Sequence, residues 1–391
     1  MMVRHASLFS QLLAFFDRNK FKNLVMKHKI EKYSKGFKSW DHFVAMLFCQ
    51  VAQAKSLREI SGGLACCMGK LRHLGVVSAP SKSTLSYANT NRSWKLFQDL
   101  FYETFDFCRK ASPGKHKFKF KNKLLSLDST TISLCLNLFP WAEFRRKKGA
   151  VKLHLLLDHD GYLPSYAYIS NGKKHDSTYA RKFPLAAGSI ITMDRGYTDY
   201  KLYSFWTAKD IYFVTRLKAN ASYEVLEERE IPQNRNILSD EIIRLAGYKA
   251  RKESRFLLRR VVVWDAEKQR EIILLTNHYN FGATTISAIY KDRWQIELFF
   301  KAIKQNLRIK TFVGTTENAL NIQIWTALIA MLLIKFLALK SKFEWSLSNL
   351  VAFLRWNLFT YKDLWGWINK PFETIGSSPQ PVQMQLPIKG L

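Results

Sequence analysis

The spacing of apolar residues changes along the chain, and each change predicts a different secondary structure. Through residues 8–110 apolar residues recur every three to four positions, which predicts a series of amphipathic helices. Apolar and β-branched runs follow: one leads into Asp128, a hairpin begins at Val151 and turns at residues 159–161, and another run leads into Asp194. A helical segment, DYKLYSFWTAK, and a strand, IYFVTRL, come next. Three antiparallel strands followed by alternating helix and strand predict an α/β fold.

The stretch IYKDRWQIELFFKAIKQNLRIKTFVG predicts a helix with one polar stripe. At about 100° per residue the stripe covers roughly 80° of the helix surface. Its members are Tyr290, Arg293, Glu297, Lys301 and Lys304. The stripe fits two interpretations. It is either a carboxylate that holds a metal among cations that grip phosphate, or a solvated face with spaced ion pairs.

Two aspartates upstream, Asp128 and Asp194, favour the first interpretation because each follows a strand-like run. With Glu297 they form a set of two aspartates and one glutamate. This pattern resembles the DDE transposases of the IS4 family of bacterial insertion sequences. The signature of that family is Tyr, two residues, Arg, three residues, Glu, six residues, Lys, and it is met by Tyr290, Arg293, Glu297 and Lys304. The aspartate blocks of the family are matched by LDSTTI and MDRGY.

The resemblance implies a ribonuclease H-like catalytic core. In that fold the first strand runs centrally and the fourth lies parallel beside it, so Asp128 and Asp194 are expected next to each other, with Glu297 reaching across from a later helix. The predicted domains are a helical N-terminal domain at 1–114, the catalytic domain at 115–340 and a helical C-terminal segment at 341–391.

Three carboxylates without a fixed His or Cys ligand suit a hard divalent ion, Mg²⁺ or Mn²⁺. Two such ions about 4 Å apart can activate a water or a 3′ hydroxyl and stabilise the leaving oxygen in an in-line displacement at phosphorus. In this scheme Asp128 bridges the ions, and Asp194 and Glu297 each complete a site. Arg293 and Lys304 are assigned to phosphate and Tyr290 to the DNA backbone, with Lys301 as a weaker phosphate candidate.

Residues 219–284, between Asp194 and the glutamate helix, are rich in strand-forming sequence. They resemble the β-rich insertion of IS4-type transposases, which implies contact with DNA near the cleavage site. The candidate contacts are Arg259, Arg260, Lys252 and Trp264. Trp264 either stacks on an unpaired base or belongs to the core.

Composition points to a polyanionic partner, since 61 Lys and Arg against 31 Asp and Glu give a net charge of +30 spread along the chain. Nucleic acid fits this best, and an anionic membrane surface less well. The five cysteines form no CxxC pair and predict neither a zinc site nor a disulfide framework, which fits a cytoplasmic protein. No signal peptide is predicted, and the apolar run at residues 322–339 is interpreted as a buried core helix.

Other segments leave alternatives open. A short helix capped by Ser81 or Ser83 fits either a helix-turn-helix reader of DNA or a plain helical bundle, and it carries Lys82, Tyr87, Asn89, Asn91 and Arg92. Lys117, Lys119, Lys121 and Lys123 alternate with other residues as in a strand, and fit either phosphate contact or a solvated sheet edge. The aromatic helices at 342–369 fit either a partner surface or a last core layer.

The resemblance implies a transposase that binds the terminal inverted repeats of its element as a homodimer, cleaves double-stranded DNA and transfers the strand into target DNA. Two alternatives are a stand-alone metal nuclease of the same fold and a non-catalytic DNA-binding protein. The second should have lost Asp128, Asp194 or Glu297, and all three are present.

Overall fold

The computed structural model describes residues 6–373 except 33, 35, 68, 112–116, 146–147, 173–175, 234 and 254–255. The helices are α1 Leu8–Leu13, α2 Arg18–Lys27, α3 Ser39–Val51, α4 Leu57–Ala65, α5 Lys82–Asn91, α6 Lys95–Ala111, α7 Asp176–Ala180, α8 Tyr200–Thr207, α9 Tyr248–Glu253, α10 Ala283–Asp292, α11 Trp294–Asn306, α12 Glu317–Lys340, α13 Leu347–Trp356 and α14 Leu364–Asn369. The strands are β1 Leu124–Leu134, β2 Glu143–Arg145, β3 Lys148–Asp158, β4 Leu163–Asn171, β5 Ile190–Met193, β6 Tyr212–Arg216, β7 Tyr223–Glu228, β8 Ile237–Leu245, β9 Leu258–Asp265 and β10 Arg270–Thr276.

The strands form one mixed sheet whose central part has the ribonuclease H-like order. β1 pairs antiparallel with β3, β3 pairs antiparallel with β4, and β1 pairs parallel with β5, which in turn pairs parallel with β6. Parallel neighbours need a crossover, and α7 and α8 provide helices between the successive strands. The predicted α/β class and the central position of the first strand are confirmed.

The β-rich segment at 219–284 continues the same sheet. β10 pairs antiparallel with β6, and β9, β8 and β7 follow in that order. The β9–β10 hairpin extends past the carboxyl end of β6, because Leu274 lies opposite Arg216 and the strand pairing continues to Arg270 opposite Asp265. The tip of this hairpin therefore lies on the same sheet edge as the carboxyl ends of β1 and β5.

Helix α12 is the central helix of the protein. It packs against α3, α5, α6, α13 and β4, and residues 319–334 are all buried. It is long and apolar enough to cross a membrane, but most of that apolar window is covered by the rest of the chain, which confirms the predicted core helix. One hydrophobic cluster joins α12 to the N-terminal helices, one face of the sheet and the C-terminal helices. The division at residues 114 and 340 stays a prediction, and this shared core crosses both boundaries.

A polar residue of α12 also fixes the segment that follows α11. Gln323 is fully buried, and its amide donates to the carbonyls of Arg308 and Thr311 at 2.7 and 2.8 Å. Its side-chain oxygen accepts from the backbone N–H of Val313 at 2.9 Å. Every hydrogen-bonding group of this amide is used inside the core, so the chain leaving α11 is held to α12.

The strand predicted over residues 117–123 is wrong. β1 begins at Leu124, opposite Ile190 of β5, and the sheet offers no strand beyond that level for the preceding residues to pair with. Two of the four lysines are in ion pairs: Lys117 with Asp292, and Lys123 with Asp158 and Asp160. Lys119 and Lys121 are exposed.

The C-terminal helices form a layer of the core. Leu350, Leu354, Trp367 and Ile368 are buried in the same cluster as α12. Trp356 and Phe372 remain exposed at the surface of this layer. The tail from residue 374 onward lies outside the described residues.

Candidate active site

The register of two parallel strands places the first two acids side by side. Leu127 of β1 lies opposite Met193 of β5, and Asp128 and Asp194 are the next residues of each chain segment. Neighbouring strands lie about 4.8 Å apart, so the two aspartates leave the sheet as lateral neighbours. The Asp194 carboxylate accepts the backbone N–H of Gly196 at 2.7 Å, and that of Asp128 accepts the N–H of Ser129 at 2.7 Å.

The third acid, Glu297, reaches this edge from α11, which packs on β1. An arginine connects it to the strand. Arg293 Nη2 lies 2.6 Å from Glu297 Oε1, and Arg293 Nη1 lies 3.9 Å from Asp128 Oδ2. The side chain of Arg293 is only 12% exposed, so this guanidinium is held between two carboxylates away from bulk water.

The polar stripe predicted for one continuous helix is divided between two helices. α10 ends at Asp292 and α11 begins at Trp294, with i→i+3 hydrogen bonds on both sides of Arg293, from its N–H to Tyr290 O and from Ile296 N–H to its carbonyl. Arg293 keeps helical dihedral angles, so the break is a tightened turn. Tyr290 still belongs to the site, because its ring lies 5.6 Å from the Arg293 guanidinium.

The electrostatic environment reflects the crowding of acids. Burial first, and then the carboxylates of Asp194 and Glu297, raise the pKa of Asp128 to about 7, against the opposing effects of the Ser129 N–H and Arg293. Burial lowers the pKa of Arg293, but Tyr290, Glu297 and Asp128 more than offset this and leave it above its ordinary value. Asp128 and Glu297 therefore share the guanidinium of Arg293, and with Asp194 beside them the site favours additional positive charge.

The donor chemistry of the site fits a hard divalent cation. The three carboxylates offer oxygen ligands, the type that Mg²⁺ and Mn²⁺ prefer. Among the described residues no three His, Cys, Asp or Glu side chains are grouped closely enough to hold an ion as they stand. Arg293 contacts one oxygen of Glu297 in this arrangement. The buried Arg293 Nε has no hydrogen-bond partner among the described residues, so an unused donor also borders the acids.

Lys304 lies farther along α11 and contacts the central strand. Its Nζ donates to Thr130 Oγ1 and, at 3.2 Å, to the carbonyl of Thr131. Thr130 is two residues beyond Asp128, so it projects from the same face of β1. Lys301 is exposed on α11.

The predicted DNA contacts on α9 and β9 have different environments. The predicted DNA contact at Arg259 is wrong. Arg259 is 1% exposed, and its side chain donates hydrogen bonds to Asp240 and to backbone carbonyls, so it is a core residue. Arg260 is paired with Glu241 at 2.7 Å. Lys252 is exposed, and Trp264 is half-buried near the tip of the β9–β10 hairpin, outside the carboxylate cluster.

Asp176, a further acid, lies behind the first aspartate. It accepts hydrogen bonds from Ser129 Oγ and Lys152 Nζ, both at 3.0 Å. Ser129 adjoins Asp128 and points to the opposite face of β1, so this cluster supports the strand from behind. The sequence places the pair His175-Asp176 close enough to Asp194 in the chain to lie near the site and favours a loop or capping role for His175, which lies outside the described residues. The spacing of a serine next to the strand acid gave no signal of this contact.

Comparison with known families identifies similar proteins. The profile of the family described as Transposase DDE domain matches residues 119–333, which include Asp128, Asp194 and Glu297. A second profile, described as a domain of unknown function (DUF4372), matches residues 4–77.

Curated relatives carry related names. "Putative transposase y4zB" of Sinorhizobium fredii is 32% identical over 267 residues, covering 66% of this chain and 72% of the relative. "Probable transposase for insertion sequence element IS5377" of Geobacillus stearothermophilus is 28% identical, covering 62% of this chain and 64% of the relative. "Putative transposase for insertion sequence element IS4SA" of a Synechocystis strain is 26% identical, covering 70% and 76%. Among solved structures, a piggyBac transposase synaptic complex with hairpin DNA matches with 12% identity and a TM-score of 0.41 over 95% of this chain and 81% of the other, too low to support a conclusion.

Proposed function

This chain belongs to the transposase DDE family and is a metal-dependent DNA transposase, and from this premise we propose that Asp128, Asp194 and Glu297 are its catalytic metal ligands. The observation that carries the proposal is the parallel pairing of Leu127 with Met193, which brings two aspartates of distant sequence to one sheet edge. The Tyr, Arg, Glu and Lys spacing of residues 290–304 supports assignment to the IS4 group.

The residues divide the work at phosphorus as follows. When bound, two Mg²⁺ or Mn²⁺ ions supply an activated water or 3′ hydroxyl and stabilise the leaving oxygen. Asp128, Asp194 and Glu297 would hold these ions through their carboxylate oxygens. A Glu297 carboxylate that held a metal would release Arg293, whose guanidinium would then be free for a phosphate oxygen.

The neighbouring side chains hold the DNA backbone. Arg293 suits bidentate binding of a phosphate, because its planar donors match two oxygens at once. The ring of Tyr290 lies 5.6 Å from the Arg293 guanidinium, and its hydroxyl is the proposed donor to the DNA backbone. Lys304, tied to Thr130, and Lys301, exposed one turn earlier, are the further phosphate contacts.

Two more surfaces belong to the proposed DNA path. Trp264 stands near a hairpin tip on the catalytic edge of the sheet, where a base can stack on its indole. Helix α5 has a mostly polar exposed face that includes Lys82, Tyr87 and Asn91, and Ser81 caps it through the Thr84 N–H at 3.1 Å. A polar face of this kind suits the recognition of an inverted repeat. Because an insertion sequence has one such repeat at each of its two ends, we expect a homodimer to bind both, in the bacterial cytoplasm.

The test is cleavage of a labelled duplex that carries the inverted repeat flanking the gene, with Mg²⁺, by wild type and by Glu297→Ala. Glu317→Ala is the matched control, since Glu317 also lies in the first turn of a helix and is exposed. We expect cleavage at the repeat terminus and transfer into a target plasmid for wild type and Glu317→Ala only. Cleavage by Glu297→Ala at the wild-type rate would refute the ligand assignment, and cleavage without transfer by wild type would indicate a nuclease.

A further inference from the structure

A buried hydrogen-bonded chain of three side chains lies behind the acids. Ser126 Oγ is 2.7 Å from His159 Nε2, and His159 Nδ1 is 2.6 Å from Asp292 Oδ2. Ser126 is 0%, His159 5% and Asp292 3% exposed. The Asp292 carboxylate can only accept, so the proton between the two groups lies on His159 Nδ1. In the neutral imidazole Nε2 then accepts from the Ser126 hydroxyl.

The two ends of this chain lie beside the catalytic residues. Ser126 is two residues before Asp128 on β1, so both side chains project from the same face of the sheet. Asp292 immediately precedes Arg293, at the tightened turn where α10 meets α11. The chain therefore ties the strand that carries one proposed ligand to the joint of the helix that carries another.

Helix α10 itself gains nothing from Asp292. A carboxylate at the carboxyl end of a helix faces the negative end of the helix dipole and is unfavourable there. It is nevertheless buried, and it is held by three donors: His159, Lys117 at 2.5 Å and the Tyr162 hydroxyl at 3.1 Å. Burial raises the pKa of Asp292, but the bonds from His159 and Lys117 reverse this and lower it, so the carboxylate is ionised.

The order serine, histidine, aspartate matches that of a hydrolytic triad, but the placement excludes a nucleophile. The Ser126 side chain lies within the sheet and has no surface exposed to a substrate. A nucleophilic serine must reach its substrate, whereas a buried and fully bonded chain can only hold positions.

We propose that His159 is a positioning residue that sets the separation between Asp128 on β1 and Glu297 on α11. This inference rests on the proposed function, since it concerns where two proposed metal ligands stand. Without the imidazole, β1 and the α10–α11 joint lose this buried connection and keep only the contacts of Arg293 and Lys304 at the site itself, and the two carboxylates no longer meet the same ion at the correct distance. Supports of this kind commonly change metal affinity or activity by about 10–100-fold when removed.

The experiment compares His159→Leu and Ser126→Ala with His278→Leu. His278 is a matched control, because it is also 5% exposed, its Nδ1 accepts the Phe281 N–H, and it lies near the other end of α10. Four quantities are measured: Mn²⁺ affinity of the DNA-free protein by electron paramagnetic resonance, the single-turnover cleavage rate of the pre-bound repeat duplex, duplex affinity without metal, and the melting temperature of each variant.

We expect His159→Leu to weaken Mn²⁺ binding and slow cleavage by about tenfold or more, with duplex affinity within about twofold of wild type. Ser126→Ala should change the same quantities in the same direction, and the double variant should be no worse than His159→Leu, because both residues act through one chain. His278→Leu should retain wild-type Mn²⁺ affinity and cleavage rate at a comparable loss of thermal stability.

Equal losses of Mn²⁺ affinity and cleavage rate in His159→Leu and His278→Leu would overturn the inference. Fully additive losses in the double variant of His159→Leu and Ser126→Ala would also overturn it. A wild type that neither binds Mn²⁺ nor cuts the duplex would instead contradict the proposed function. The two failures are therefore distinguishable in one set of measurements.

Discussion

Replacing Arg259 by alanine should destabilise the fold by several kilocalories per mole and leave DNA binding unchanged. The side chain donates from Nε and Nη2 to the two carboxylate oxygens of Asp240, at 2.7 and 2.6 Å. Nη1 donates to the carbonyls of His278 and Tyr279 at 3.2 and 3.1 Å, and to that of Phe281. The side chains of Arg259 and Asp240 are 2% and 3% exposed, so solvent screens neither charge.

The magnitude follows from what the substitution leaves behind. Asp240 becomes a buried carboxylate without a countercharge, and removal of one partner of such a pair costs about 3–5 kcal/mol. Arg244, paired with Glu224 at 3.4 Å, is the control, because its side chain is 58% exposed. Its replacement by alanine should cost about 0.2–1 kcal/mol.

The assay is urea unfolding of both variants, followed by duplex binding across a range of salt concentrations. An arginine that contacts phosphate should reduce the dependence of the logarithm of affinity on the logarithm of salt by about 1 when it is removed. We expect no such change for Arg259→Ala. A reduced salt dependence with an unchanged free energy of unfolding would refute the assignment of Arg259 to the core.

Three further outcomes are expected. Burial lowers the pKa of Lys335 to about 8, so the unfolded chain holds one more proton than the folded chain between about pH 8 and 10.5. The stability of the wild type should therefore rise with pH across that window, whereas the stability of Lys335→Met should not. The same difference in urea midpoint between wild type and Lys335→Met at about pH 7.5 and at about pH 10 would contradict this. Trp325→Ala should cost about 3–5 kcal/mol and expose α6 to limited proteolysis, because Trp325 packs on Phe101 and Tyr102; retained protection of α6 would favour an independent N-terminal domain. Removing divalent ions with EDTA should abolish cleavage while duplex affinity stays within about twofold, and cleavage that persists in EDTA would exclude a metal-dependent reaction.

The central strands could be predicted because each lies on a local pattern. The apolar run before Asp128 and the one before Asp194 are buried on both faces, as a central parallel strand requires, and the order of the elements restricts the topology to few choices. The stripe on residues 290–304 was visible because helical spacing alone brings Arg293 and Glu297 together. These features depend on residues close in sequence or on standard connections.

Other features were not predictable because they depend on partners distant in sequence. Arg259 looks like any cationic strand residue until Asp240 and the carbonyls after β10 surround it. Alternation of lysines before Leu124 predicted a strand, yet a strand needs a neighbour to pair with, and the sheet ends at that level. His159 lies in a hairpin turn by sequence, and only the approach of α10 gives it Asp292 as a partner.

The sequence by itself determined the α/β class, the three acids and the cations that follow them, because period, composition and spacing are properties of neighbouring residues. Tertiary structure decided which charged side chains are paired within the protein. Arg293 pairs with Glu297, and Arg259 pairs with Asp240 in the core. Lys117 pairs with Asp292 at the end of α10, and Lys123 pairs with Asp158 beside the hairpin turn. The contribution of a charged side chain to stability or to DNA binding depends on its burial and on its distance to other charges. Those two quantities are fixed only when the sheet brings distant segments together.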